Sequence, residues 1–386
     1  MKIRALLTQG KQLSVCCLPW VSNRGNMKKI EEEKVYYNAL NLIFETNFLF
    51  LRRLYQKFGS FFEVYRNLKN LNLSSKIFER YKKIDPSLEF EKLKKQKIGL
   101  ILFFEKDFPE NLKKIQNPPL GIYFSTFLSL KEIFSSPSIA IVGTRKPSLY
   151  GKEIAEKFSF ELASLGFNIV SGLALGIDTS AHQGAIKAQG KTIAVLGSGI
   201  DQIFPSSNLS LAEKIKSFGA ILSEYPLSSP PLPYHFPQRN RIIAGLSLGV
   251  LVVEAPKKSG ALITAKIALE EGREVFAIPG SIFWKNFEGN HFLIKKGAKL
   301  VENIEDILEE IKSQAQIQFP KETFSFNFES KEEKKIFEIV KNSPGIEFDK
   351  ICSSSKISPE KVASILALLE IKGYLKEIKG RYYPLV

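Results

Sequence analysis

Between residues 139 and 311, short apolar runs alternate with stretches of helical length, and most of the runs stop at a glycine-bearing turn. The runs cover 139–142, 168–170, 192–196, 220–222, 250–253 and 275–277. The stretches between them cover 152–165, 179–189, 209–218, 263–271 and 305–311. A strand that is apolar along its whole length is buried on both faces, and strands that alternate with helices pair in parallel beneath helices on both sides. The fold class expected is therefore α/β, with an extended Rossmann-like parallel sheet at its centre. No apolar run approaches the roughly 18 residues of a membrane span, so no membrane is expected as a partner. Three cysteines (Cys16, Cys17, Cys352) and three histidines (His182, His235, His291) are too few and too scattered for a disulfide framework or a zinc site. No metal is expected, and sparse cysteine suits a reducing, cytoplasmic compartment.

The 386 residues suffice for two or three domains. Residues 1–30 show no periodicity before the lysine-rich stretch after Met27, and read as a tail or a mis-assigned start. Residues 31–96 carry apolar positions at helical spacing (Leu40, Leu42, Ile43, Phe48, Leu51, Leu54) and are expected to form a small helical domain. Within it, Gly59-Ser60 reads as a turn between two helices, the second capped by Ser60. Such a pair serves either to hold phosphates or as a plain helical hairpin. Residues 97–312, which open with strand-like runs at 98–104 and 121–124, form the sheet domain, and residues 313–330 form a linker. Residues 331–386 read as helices 331–342, 347–354 and 359–372, then two short strands ending at Tyr382-Tyr383, the pattern of a winged helix. There Lys361, Lys372, Lys376, Lys379 and Arg381 fit either a DNA contact or a solvated face.

Charge enters the argument through its distribution. The chain has 55 Lys+Arg against 40 Asp+Glu, a net +15, but +11 of this lies in residues 1–138 and only +1 in residues 139–311. Eleven of the basic residues are arginine, so the excess is lysine and records either AT-rich codons or electrostatic steering.

The chemistry sits in the glycine turns. The first apolar run ends in Gly143-Thr144-Arg145-Lys146-Pro147-Ser148-Leu149-Tyr150-Gly151, which departs from the dinucleotide GxGxxG pattern. A glycine turn opening a helix still aims free amides and the positive dipole end at an anion, and Arg145 adds a bidentate phosphate donor. The second run ends in Ser171-Gly172-Leu173-Ala174-Leu175-Gly176-Ile177-Asp178, the third in Gly197-Ser198-Gly199. Ser259-Gly260 and Pro279-Gly280-Ser281 follow later. Loops at the carboxyl ends of parallel strands are where such sheets bind ligands, so together these turns read as a phosphate-binding trough. The segment 236–247 adds Arg239, Asn240 and Arg241 at the start of an apolar helix. These arginines either contact phosphate or pair with acids such as Glu224 or Glu254; both roles can hold, one arginine each. No catalytic residue is assigned. His182 lies one turn into a helix whose expected N-cap is Asp178, without a patterned nucleophile. Asp178, Asp201, Glu224 and Glu254 each have an ordinary role as cap or arginine partner.

These residues also carry a resemblance. Val142 to Arg145 with Ser148 and Tyr150-Gly151, Ser171 to Asp178 with Ala181-His182, Thr192 to Gly199, Pro205 with Asn208, Ser223 to Pro226 and Phe236 to Ser247 closely resemble the DNA-processing protein A family (DprA/Smf). The likeness continues through Val253 to Ala255, Ser259-Gly260, Leu262 to Ala265, Gly272-Arg273, Ala277 to Gly280, Leu293-Ile294 and Gly297-Ala298, spanning about residues 98–311. The resemblance implies an extended Rossmann fold that binds single-stranded DNA as a homodimer. It implies protection of incoming DNA in natural transformation and help in loading a RecA-type recombinase, with no cofactor and no enzymatic turnover. It makes Arg145 the first strand contact, supported by the amides around Gly143, Gly172 and Gly197, with Arg239 and Arg241 following. Two departures stand out: Ser206-Ser207 follow Pro205 where some relatives carry a basic residue, and His291 stands where many carry asparagine. The alternative is a nucleotide-binding protein or a phosphoribohydrolase. That branch is marked by a Pro-Gly-Gly-x-Gly-Thr turn followed by glutamate, whereas here Lys258-Ser259-Gly260-Ala261-Leu262 has no second glycine and no glutamate before Glu270. A duplex-DNA regulator working through the winged helix leaves the glycine loops unexplained.

Overall fold

The computed structural model describes residues 27–45, 47–315, 328–372, 374–378 and 380–384; the expected tail, save its last few residues, and most of the expected linker lie outside these. The described residues up to Ala315 form one compact unit and those after it a second. The first begins with five helices, α1 (Met27–Phe44), α2 (Phe48–Phe58), α3 (Phe61–Asn67), α4 (Ser75–Lys83) and α5 (Pro86–Lys95). It continues through β1 (Gly99–Leu102), α6 (Glu110–Lys113), β2 (Gly121–Ser125), α7 (Leu130–Phe134), β3 (Ser138–Val142), α8 (Leu149–Ser164), β4 (Asn168–Ser171), α9 (Ile177–Lys187) and β5 (Thr192–Leu196). Then follow α10 (Leu209–Phe218), β6 (Gly219–Ser223), α11 (His235–Leu246), β7 (Gly249–Val252), α12 (Gly260–Glu270), β8 (Glu274–Ala277), α13 (Glu288–Lys295), β9 (Lys299–Leu300) and α14 (Ile304–Ala315).

The strands make one sheet in the order β1-β2-β6-β5-β4-β3-β7-β8-β9. Strands β3 to β9 pair in parallel, while β1 and β2 extend the edge beside β6 antiparallel. From β3 the chain winds outward through β4, β5 and β6, then returns to the other side of β3 for β7, β8 and β9. The reversal at β3/β7 opens a crevice at the carboxyl ends of these two strands. Local signals set the helix starts: Ser60 Oγ accepts from Glu63 N (3.0 Å), Ser148 Oγ from Gly151 N (3.1 Å) and Ser259 Oγ from Ala261 N (3.2 Å). Asp178 does not cap its helix: α9 starts after Gly176, and Asp178 lies inside the first turn.

Each face of the sheet buries its own layer. In β5, Ile193 and Val195 join a core with Ile242, Ile243, Ala244 and Leu246 of α11 and Ala261, Ala265 and Ala268 of α12. The alternate residues Ala194 and Leu196 belong to the opposite layer, which takes in Ala212 and Ile215 of α10 and Tyr37, Leu40, Ile43, Phe61, Leu68 and Phe90 of the N-terminal helical segment. The helices thus share a core with the sheet, and polar bonds fix the fit: Tyr123 Oη donates to Asn38 Oδ1 (2.9 Å) and Asn41 Nδ2 to Glu224 O (3.0 Å). Among the described residues no helix is long and apolar enough to cross a membrane.

The second unit comprises α15 (Lys331–Asn342), β10 (Ile346–Glu347), α16 (Phe348–Ser355), α17 (Pro359–Ile371), β11 (Leu375–Ile378) and β12 (Arg381–Pro384). Its strands pair in the order β10-β12-β11, and Ile336, Phe337, Val340, Ile351, Leu366 and Leu369 form its core. The Lys372 ammonium lies 2.7 Å from Glu333, whose amide bonds Ser330 Oγ (3.0 Å) and closes a cap on α15.

Truncating Phe61, fully buried against Tyr37 of α1 and Tyr55 of α2 in the core that also takes in Leu100, Leu102 and Tyr123 of the sheet, is expected to cost about 3–5 kcal/mol. Chemical denaturation of the whole chain, followed by circular dichroism, measures it. A loss below about 1 kcal/mol would mean that the helices do not share the sheet's core.

Candidate nucleic-acid interface

The loops at the carboxyl edge are joined to one another before they are available to a ligand. In the β3–α8 loop, Thr144 N donates to Glu254 O (2.7 Å) and Ile177 N donates to Thr144 O (3.2 Å), linking it to the loops after β7 and β4. The backbone at Gly176 has φ +83°, and a Cβ there would stand 2.4 Å from Thr144 O, so a glycine is required for the close approach. Glu254 closes the same loop from below: its carboxylate accepts from Ser148 N (3.0 Å), Ser148 Oγ (2.7 Å) and Asn286 Nδ2.

Arg145 emerges from this braced loop into solvent, with its guanidinium 5.2 Å from the centroid of the Phe236 ring on α11. Phe204, 45% exposed, lies 5.9 Å from Phe236, and Gly197 packs against that ring from the β5 loop. An exposed guanidinium beside a half-buried ring, with the exposed Phe204 ring next to that one, suits a phosphate and an unstacked base together. Along the same edge Lys146, Lys257, Lys258 and Lys285 are exposed, and none of them, nor Arg145, forms an ion pair among the described residues. Sequence reasoning names Phe236 without separating it from the other 29 phenylalanines. Its position three residues before Arg239 on one helix is the signal that selects it.

The other two arginines face inward, which corrects the expectation of phosphate contacts there. Arg239 is 4% exposed. Its Nη1 donates to Gly172 O (2.8 Å) and Val195 O, and its Nε to Asn240 Oδ1 (3.2 Å), so it ties together the ends of β4 and β5. A Cβ at Gly172 would stand 2.7 Å from that guanidinium, so this glycine makes room for Arg239 rather than for a ligand. Arg241 pairs with the buried Glu224, the acid named for it, whereas Glu254 pairs with no arginine among the described residues. Asn240 is buried with Arg239. Several hydroxyls and amides of the trough are likewise consumed internally. Ser171 Oγ donates to Ile141 O (2.7 Å), Ser198 Oγ to Gln202 O (2.7 Å), and Gly199 N to Ser229 O (2.9 Å). Gly172 N donates to Asp178 (3.1 Å). Ser148 and Ser259 are helix caps, Gly143 and Thr144 are loop braces, and Gly260 opens onto free space. What the expected set brings together is a framework with Arg145 as its outward group.

Residues 99–312 match the family described as DNA recombination-mediator protein A. The chain belongs to this family, DprA/Smf. DNA processing protein DprA of Bacillus subtilis is 45% identical over 218 residues, 56% of this chain and 73% of the relative. The X-ray structure of DprA from Streptococcus pneumoniae matches 73% of this chain and 96% of its own with a TM-score of 0.58 at 37% identity. DprA of Helicobacter pylori, whose structure is described for its single-stranded DNA binding mode, matches 56% of this chain and 96% of its own with a TM-score of 0.50 at 29% identity. Membership carries a DNA-processing role in recombination, and the mostly parallel, Rossmann-like sheet is the fold of this family.

In this DprA/Smf chain the acids of the edge are occupied. Asp178 Oδ2 accepts from the amides of Gly172 and Ala174 (3.1 and 3.3 Å), and Asp201 accepts from Ser228 N (2.9 Å). Burial raises the Asp178 carboxyl against the opposing pull of Arg239, and burial lowers Arg239 to about 10, still cationic at neutral pH. His182 is enclosed with Nδ1 2.7 Å from Thr192 Oγ1, and burial, then the Arg239 charge, holds its ring down to about 3. His291 Nε2 lies 3.0 Å from Gly280 O, while the neighbouring Asn290 bonds Ala255 N and three carbonyls across the ends of β7 and β8.

Arg239→Ala is expected to destabilise the fold by about 3–5 kcal/mol through the buried carbonyls it leaves without their donor and the compensating charge it removes from beside Asp178, and Arg145→Ala by less than about 0.5 kcal/mol. Denaturant melts of both variants make the comparison, and equal costs would contradict the division of roles. The His182 ring is expected to show no NMR titration between about pH 8 and pH 5, the range in which a free imidazole changes charge. A midpoint in that range would contradict its enclosure.

Proposed function

We propose that this chain binds single-stranded DNA across the carboxyl edge of β3, β4 and β5. In this reading it protects incoming DNA and helps load a RecA-type recombinase in natural transformation and recombination, as a cytoplasmic homodimer without a cofactor or enzymatic turnover. The observation that carries the reading is the exposed guanidinium of Arg145 set 5.2 Å from the Phe236 ring, on a loop braced by Glu254 and Gly176. A ring and a guanidinium beside it recognise a base with a free π face, which a single strand offers and a duplex hides within its stack. The family and the single-stranded DNA binding mode described for the Helicobacter pylori protein support the same ligand. The carboxylates that a phosphoribohydrolase would use for proton transfer are occupied by amides, hydroxyls and arginine, which favours binding over turnover.

The C-terminal unit is read as a winged helix, since three helices precede the β11–β12 hairpin, with a contact to DNA or to a protein. The basic helical segment at the N-terminus steers the strand by its long-range field.

Fluorescence anisotropy with a labelled single strand and a matched duplex at two salt concentrations tests the reading. A preference for the single strand is expected, with affinity falling as salt rises through counterion release. Arg145→Ala is expected to weaken binding by about 1–3 kcal/mol. Unchanged affinity in that variant, or equal binding of the duplex, would overturn the assignment.

A further inference from the structure

The crevice at the β3/β7 reversal has a second half that Arg145 and Phe236 leave unused. On the side away from β4 lies an open pocket of about 260 Å³, lined by Ser148 from the β3 loop, Glu254 from the β7 loop and Trp284, Lys285 and Asn286 from the β8 loop. Glu254 is fully covered and saturated by Ser148 and Asn286, so it forms a wall and presents no free acceptor. Trp284 is 48% exposed and is steadied by two rings, Tyr150 at 6.2 Å and Phe287 at 6.0 Å. Asn286 Nδ2 also donates to Lys146 O (3.2 Å), which fixes this loop to the turn that carries Arg145. The volume is below the roughly 300–1,000 Å³ of pockets that take drug-sized molecules and suits a single base. Lys285 on its wall and Lys146 beside Asn286, both exposed, supply the charge for a phosphate backbone.

We propose that the Trp284 pocket is a second base-binding subsite, in which the strand gripped at Arg145 continues across β3 toward β7 and β8 and stacks a further base on the indole. This rests on the single-stranded DNA reading above and extends the strand path to the opposite side of the sheet reversal. A stack on tryptophan tolerates any base, so the subsite adds affinity and length rather than sequence preference. The lysines follow the backbone as point charges.

The test uses the full chain carrying Trp20→Phe, which leaves Trp284 as the sole tryptophan of the two in the sequence. Oligothymidylates of increasing length are titrated while tryptophan emission and affinity are read together. Emission is expected to be quenched only by oligomers long enough to cross from Phe236 to Trp284. For those oligomers, Trp284→Ala is expected to lose about 5- to 150-fold in affinity, the range given by one base–aromatic stack, while Trp284→Phe keeps most of it. Shorter oligomers are expected to bind the Trp284→Ala variant as they bind the parent. A saturated complex with unquenched emission, or a Trp284→Ala variant that binds long oligomers as the parent does, overturns the subsite. Arg145→Ala, measured in parallel, separates the two readings. If it loses binding while Trp284 stays silent, only the extension fails; if it binds unchanged, the strand path fails at its origin.

Discussion

The guanidinium of Arg239 is the tie on which the carboxyl edge depends. Buried at the ends of β4 and β5, it donates to the carbonyls of Gly172 and Val195 and to Asn240, within electrostatic reach of Asp178. A charge so enclosed carries a desolvation cost that hydrogen bonds and the carboxylate offset only in part, and the arrangement contributes position more than stability. Arg239 fixes one end of α11 against the sheet, and Phe236, one turn earlier on that helix, is thereby held at the surface beside Arg145. Gly172 is the complementary constraint: with a side chain there the guanidinium would have no path to the strand ends.

From this tie follows a separation of charge. Asp178, Glu224 and Glu254 turn inward, where amides, hydroxyls and an arginine consume them. Arg145 and the lysines at 146, 257, 258 and 285 turn outward without ion pairs among the described residues. A segment whose formal charge is close to balanced therefore presents a cationic edge, because a carboxylate beneath the surface with its own donors screens a ligand less than one beside it. Glu254 joins the two halves of that edge, holding Ser148 of the β3 loop and Asn286 of the β8 loop on one carboxylate.

The sheet was legible because its strands are buried on both faces. The apolar runs at 139–142 and 192–196 lie within β3 and β5 as folded, and the glycine turns after them do sit at one edge. Pairing at the far edge was not legible: β1 and β2 join antiparallel beside β6, and local pattern carries no information about a partner some hundred residues away. The Asp178 cap failed because Gly176 already turns the chain and frees the carboxylate to reach back to Gly172 and Ala174. Among the arginines, residue type alone did not separate inward from outward. The apolar run Ile242-Ile243-Ala244 does so for Arg239, which lies one turn before it on the buried face of α11, whereas Arg145 sits in a loop with no apolar face to enter. Phe236 and Trp284 were hidden by numbers in one case and by isolation in the other, and only tertiary placement brings each to the edge.

The most direct measurement is a crystal structure of the full chain with a short oligothymidylate. The account predicts a phosphate on the Arg145 guanidinium, a base against the Phe236 ring, and Arg239 still bonded to the carbonyls of Gly172 and Val195. A strand bound away from the carboxyl edge, or Arg239 swung out to meet a phosphate, would contradict it.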